Sequence, residues 1–243
     1  MNLTAMVKFV STTMDVLCEL AEPQAGYFTT AQATEAGVSS RALYQRTRRG
    51  DIDHVRYGLY RLRRFPAHPF EDVVAACSWA GGDSAASHEI ALAVHGISDS
   101  MPSAIHITVP RRYRGRQDGV VIHHADLPDT DRTRVDAVPL TTIARTLHDV
   151  AATHDPALVE PAVAQAVARG TLRRRQLRRL VRDTPSLAPM VVGAGRGVGH
   201  TWARRTHKAI VVTRRLDVLA GYGHSDRRRG DLRPSVALLP RRG

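Results

Sequence analysis

Between residues 27 and 64 the chain sets caps, glycines and charges in an order that few folds accommodate. Thr29 or Thr30 can cap a short helix over 31–36, because a hydroxyl there satisfies an orphan backbone N–H. Gly37 ends it, since glycine enters the left-handed region without a Cβ clash. Val38 supplies an apolar plug, Ser39 or Ser40 a second cap, and residues 41–49 a second helix that stops at Gly50. In the stretch that follows, Ile52, Val55, Leu59, Tyr60 and Leu62 interleave with His54, Arg56, Arg61 and Arg63, and Tyr57-Gly58 makes the tight turn of a hairpin.

The second helix has two faces. Leu43 and Thr47, four apart, face inward, while Arg41, Tyr44, Gln45, Arg48 and Arg49 crowd the opposite side. Arg and Gln hydrogen-bond base edges in the major groove, and capping hydroxyls and further arginines hold phosphates. A basic hairpin directly after such a helix reads as a wing. The expected element is therefore a winged helix-turn-helix on double-stranded DNA. A solvated basic helix followed by an unrelated hairpin has similar local composition. It is the whole series that favours DNA.

Charge supports a polyanionic partner. The chain has 243 residues, a net charge of +12 and a pI near 10.8. That charge is uneven: residues 186–243 hold twelve Arg/Lys against Asp217, Asp226 and Asp231, a net +9. The basicity of the first 185 residues is therefore local. Cys18 and Cys77 are the only cysteines, too few for a disulfide framework or a Cys-rich zinc site, so a reducing cytoplasm is expected. No apolar leader follows the N-terminus, and no run reaches membrane-spanning length.

The remaining pattern predicts an α+β chain: the winged helix over 1–65, a small α+β region with a helical segment over 70–183, and a poorly ordered basic tail over 186–243. Residues 11–21 carry Met14, Leu17, Cys18 and Ala21 at helical spacing and form the first helix. Pro66 and Pro69 mark a linker, from which two independent halves are expected. Helices are predicted over 70–80 and 84–95, with Gly81-Gly82-Asp83 as the turn between them. Strands are predicted over 104–109, 119–125 and 133–138, the first and third each closed by a proline. Thr141 or Thr142 starts a helix with Ile143, Leu147 and Val150 on one face. Asp155-Pro156 starts another, and Thr171 a third that runs through Val181.

The stretch GYFTTAQATEAGVSSRALYQRTRRGDIDHVRYGLYRL (26–62) resembles the N-terminal winged helix of AbiEi-type antitoxins, the antitoxin half of type IV toxin–antitoxin systems. SHEIALAVHGISD (87–99), HITVPRR (106–112), VVIHHADLP (120–128) and VPLTTIARTLHDVA (138–151) resemble the same antitoxins' second domain, extending the likeness over roughly 14–183. The resemblance implies a transcriptional autorepressor that binds its own operator and counteracts a nucleotidyltransferase-like toxin, with a homodimer among the assemblies it allows. It implies DNA contacts at Thr30, Ser39, Ser40, Arg41, Tyr44, Gln45 and Arg49, with the wing on 56–63. With Arg48 from the helix face, and Arg56, Tyr57, Arg61 and Arg63 from the wing, these make the candidate DNA-binding set. Residues 186–243 match nothing in that family.

No catalytic set, metal site or cofactor is expected. His123-His124-Ala125-Asp126 is the most metal-like cluster, but neighbouring strand residues point to opposite faces and do not easily share one ion, so it reads as a strand end with one buried and one exposed His. Gly81-Gly82-Asp83-Ser84 has the glycines and serine of a nucleotidyltransferase start but no alternating carboxylate pair after it. Gly193 to Gly199 has the wrong spacing for a phosphate loop and reads as linker. A nuclease in the tail would need more carboxylates than its three Asp, with a Lys in register. Arg111, Arg112, Arg114 and Arg116 flank Tyr113 on a basic loop, suited to a second DNA contact, to an acidic partner, or simply to solvent. The alternatives to an antitoxin are a winged-helix enzyme acting on nucleic acid and a stand-alone regulator.

Overall fold

The computed structural model describes residues 12–98, 102–153 and 156–196. Position 11, Asp155 and the tail beyond 196 lie outside the described residues. Helix α1 (Thr13–Ala21) begins where Thr12 and Asp15 cap one another: Asp15 N–H donates to Thr12 Oγ1 at 3.3 Å, and Thr12 N–H donates to Asp15 Oδ2 at 2.8 Å. The same device opens α2 (Thr30–Glu35), where Thr29 and Gln32 exchange bonds of 3.2 and 2.8 Å. Ser39 Oγ accepts from Ala42 N–H at the start of α3 (Ser40–Arg49). Of the paired alternatives, Thr29 and Ser39 are thus the caps. Gly37 (φ 83°) and Gly50 (φ 78°) take the left-handed turns after the two helices, where a Cβ would be strained.

Strand β1 (Tyr27–Thr29) was not legible as a strand; three residues are too few to show alternation. It pairs antiparallel with β3 (Leu59–Leu62), which pairs with β2 (Ile52–Arg56), in the order β1-β3-β2. A bulge between His54 and Arg56 turns Val55 outward, so Val55 does not join the core as its place in the alternation suggested. Leu17, Phe28, Ala33, Val38, Leu43, Ile52 and Leu62 fill the space between the helices and this sheet.

The following region is mixed. After α4 (Glu71–Ala80) come β4 (Ala85–Ala86), α5 (His88–Val94), β5 (Ile105–Val109), β6 (Val120–His124), β7 (Arg132–Val135) and β8 (Val138–Thr141). The sheet order is β6-β5-β4-β8-β7, with β5–β6 and β4–β8 parallel. Two expectations are corrected here. Residues 84–95 are not one helix: Ala85 and Ala86 form the central strand, and α5 starts at His88. Ser84, Ala85, Ala86 and Ser87 are all buried, and a short run of small residues carries no period to tell helix from strand. The strand expected over 133–138 is a hairpin turning at Asp136 (φ 50°), and Pro139 lies inside β8 rather than closing it.

Helices α6 (Ile143–Ala152, capped by Thr142), α7 (Pro156–Ala168), α8 (Arg174–Asp183) and α9 (Ala188–Arg196) pack around Leu92, Leu147, Val150, Val163 and Leu187. Helix α8 opens at Arg174, later than Thr171; Gln176 accepts from Arg173 N–H at 2.8 Å. Residues 185–196 belong to this bundle, not to a low-order tail. Leu187, Met190 and Val191 sit at i, i+3 and i+4 and pack into it, a face that the surrounding glycines and proline obscured. Gly193 to Arg196 are helical, not linker; 197–199 lie outside the described residues.

Burial crosses the segment 65–70. Ala25, Tyr27 and Leu59 belong to the same buried cluster as Val73, Val74, Ala76, Ile107 and Leu140. Among the described residues, no helix is long and apolar enough to cross a membrane.

Candidate nucleic-acid interface

Helix α3 presents its polar face as the spacing requires. Arg41, Tyr44, Gln45, Arg48 and Arg49 are all exposed, with Tyr44 at 62%, while Leu43 is buried and Thr47 Oγ1 bonds back to Leu43 O at 3.0 Å. Arg48 donates to Tyr44 Oη at 3.4 Å, one turn away, which joins the two on one surface. Arg46, the remaining arginine of the helix, points elsewhere and pairs with Asp51 at 3.0 Å. Ser39 and Ser40 are exposed at the helix start. Thr30 is half-buried beside the hairpin turn, and its N–H donates to Gly58 O at 2.9 Å.

The hairpin differs. Tyr57 stands at its tip, 96% exposed. Arg56 is half-buried and donates to Gln117 Oε1, and burial lowers its pKa from the usual guanidinium range. Arg61 donates to Phe65 O at 3.2 Å and Pro66 O at 3.0 Å, pairs with Glu71 at 3.5 Å, and lies over the Tyr27 ring at 5.6 Å. The Tyr27 phenol is itself pushed up to about 12 by burial. Arg63 is exposed and pairs with Asp53 at 2.7 Å. The structure therefore gathers the helix residues on one open face, and ties Arg56 and Arg61 into the body of the protein.

A second basic surface lies on 110–118. This loop, with Val120, Ile122 and residues 124–126, lines an open groove of about 1180 Å³. Arg111 is held by Asp83 at 3.0 Å, and Tyr113 Oη donates to Trp79 O at 3.1 Å. Arg112, Arg114 and Arg116 are exposed.

His123 and His124 point to opposite faces, as strand geometry requires. His124 Nε2 meets the Tyr113 backbone, whereas His123 Nε2 lies 3.0 Å from His106 Nδ1 and its ring stacks on His88 at 3.8 Å. Sequence spacing weighs His123 only against its chain neighbours and misses His88 and His106, which come from α5 and β5. Local spacing carries no signal for that convergence.

Residues 15–63 match the family model described as "Transcriptional regulator, AbiEi antitoxin". The match spans most of α1 through β3, so the resemblance to AbiEi-type antitoxins is borne out over the winged helix. Among solved structures, the Rv2827c protein from Mycobacterium tuberculosis is similar over 74% of this chain and 76% of its own, at 18% identity and a TM-score of 0.46. No curated protein matches the chain.

Proposed function

From the AbiEi antitoxin regulator family of residues 15–63, we propose that this protein binds its own operator as a transcriptional autorepressor and counteracts a nucleotidyltransferase-like toxin encoded beside it. The observation that carries the DNA half is the open face of α3: Arg41, Tyr44, Gln45, Arg48 and Arg49 share it, and none supports the core. In this reading Arg41 and Gln45 contact base edges, Ser39, Ser40, Thr30, Arg48 and Arg49 hold phosphates, and Tyr57 leads the wing to the backbone. Arg63 can leave an exposed ion pair to join them. Arg56 and Arg61 are assigned to the fold rather than to DNA. The region 70–183 is assigned to the toxin, and no catalytic step is ascribed to the protein.

The test uses the full chain. Repression of a reporter behind the protein's own promoter is compared with rescue of growth when the adjacent toxin is co-expressed. The variant Arg41→Ala/Gln45→Ala is expected to lose repression and retain rescue. Loss of both, in a variant with an unchanged melting temperature, would refute the division. Unchanged repression would remove α3 from the reading role.

A further inference from the structure

We propose that His88, His106 and His123 form a binding site for one transition-metal ion of the zinc class, which clasps α5 to β5 and the edge strand β6 of the five-stranded sheet. The three residues lie far apart in sequence but converge through the topology. Strands β5 and β6 are parallel, with Thr108 beside His123 and His106 beside Val121, so His106 and His123 share one face. His88 opens α5 with φ 55°, an unusual conformation for a residue with a side chain, and its ring lies over His123. One nitrogen from each imidazole falls within 4.8 Å of the others. His106 Nδ1 and His123 Nε2 are 3.0 Å apart, close to the roughly 3.3 Å that separates two nitrogens bound at about 2.0–2.1 Å to a tetrahedral ion.

The surroundings suit a cation. His88 Nδ1 is 2.9 Å from Ser87 Oγ, which accepts from Thr108 Oγ1 at 2.8 Å; this chain orients the ring as outer partners orient metal-bound histidines. Burial is the main cause that lowers the pKa of all three histidines. Asp149, buried on α6 and within electrostatic reach of His123, has an Oδ2 without a hydrogen-bond partner among the described residues. Glu89 acts in the same sense on His106, while Arg145 opposes it at His88 but is neutralised by Asp131 and Asp149. Imidazole donors select zinc, copper, nickel or cobalt over magnesium and calcium. His106 and His123 are only half-buried, which leaves an entry path.

The experiment is a titration of chelator-treated full-length protein with Co²⁺, read by its visible absorption, followed by displacement with Zn²⁺. One equivalent is expected to bind with a tetrahedral-type spectrum, and Zn²⁺ is expected to raise the melting temperature. His106→Gln and His123→Gln should abolish the band, and Ser87→Ala should weaken binding about 10–100-fold. His124→Gln, on the opposite face of β6, and His54→Gln, in the winged helix, should leave it intact. A second readout needs no variant: Zn²⁺ should shield His106 and His123 of the native chain from imidazole acylation, while the exposed His54 stays reactive. No stoichiometric Co²⁺ band, a band that survives both substitutions, or acylation unaffected by Zn²⁺ would each overturn the site.

Discussion

Helix α3 and the hairpin behind it are both rich in arginine, yet they use it in opposite ways. On α3 the arginine that pairs within the fold is Arg46, and Arg41, Arg48 and Arg49 stand on the open face. On the hairpin Arg56 meets Gln117, Arg61 spans Phe65, Pro66 and Glu71, and even the exposed Arg63 is paired with Asp53. A guanidinium already engaged with backbone carbonyls and a carboxylate cannot also turn to a phosphate without leaving those groups unpaired. The lesson is that a count of basic residues overstates the charge that a surface can offer to DNA.

That contrast can be broken in order of effect. The largest change is expected at the open face. Replacing Arg41 and Gln45 by alanine should lower discrimination between operator and unrelated DNA by about 1–3 kcal/mol per base contact, with thermal stability unchanged. Equal discrimination in a competition gel shift would mean that the face does not read bases. Next comes the reverse case. Arg61→Ala should cost about 1–3 kcal/mol of folding stability in a urea titration, because two carbonyls and Glu71 lose their partner. An unmoved midpoint would place Arg61 with the free arginines after all.

The salt dependence sharpens the comparison further. Neutralising Arg48 and Arg49 should reduce the slope of log affinity against log salt by about 0.9 for each phosphate that is no longer neutralised. Arg56→Gln should leave that slope alone, and a comparable drop would show that Arg56 swings out to DNA. The smallest effect is expected at Arg63→Ala. Its exposed pair with Asp53 contributes about 0–1 kcal/mol, so a stability loss beyond that range would argue that Arg63, too, is structural.

The winged helix was readable because its signals are local. The Thr and Ser caps, Gly37 and Gly50 act within a few residues of themselves, and Leu43 and Thr47 mark the inner face of α3 by spacing alone. The larger sheet was less readable. Its central strand, Ala85–Ala86, is only two residues long and is a strand because Thr108 and Leu140 lie beside it. Pro139 could enter β8 because only pairing decides which backbone groups must bond. The Pro66–Pro69 segment suggested separate halves, yet Tyr27 and Leu59 find part of their burial on α4, beyond it.

By itself the sequence determined the order of helix, turn, helix and hairpin, and the polar face of α3, because caps, glycines and helical spacing act over one or two turns. Which arginines remain free, where Leu187 and Met190 pack, and how His88, His106 and His123 meet were decided only by the tertiary structure. Those outcomes depend on the desolvation and pairing of groups tens of residues apart, and separation along the chain gives no measure of distance in the fold.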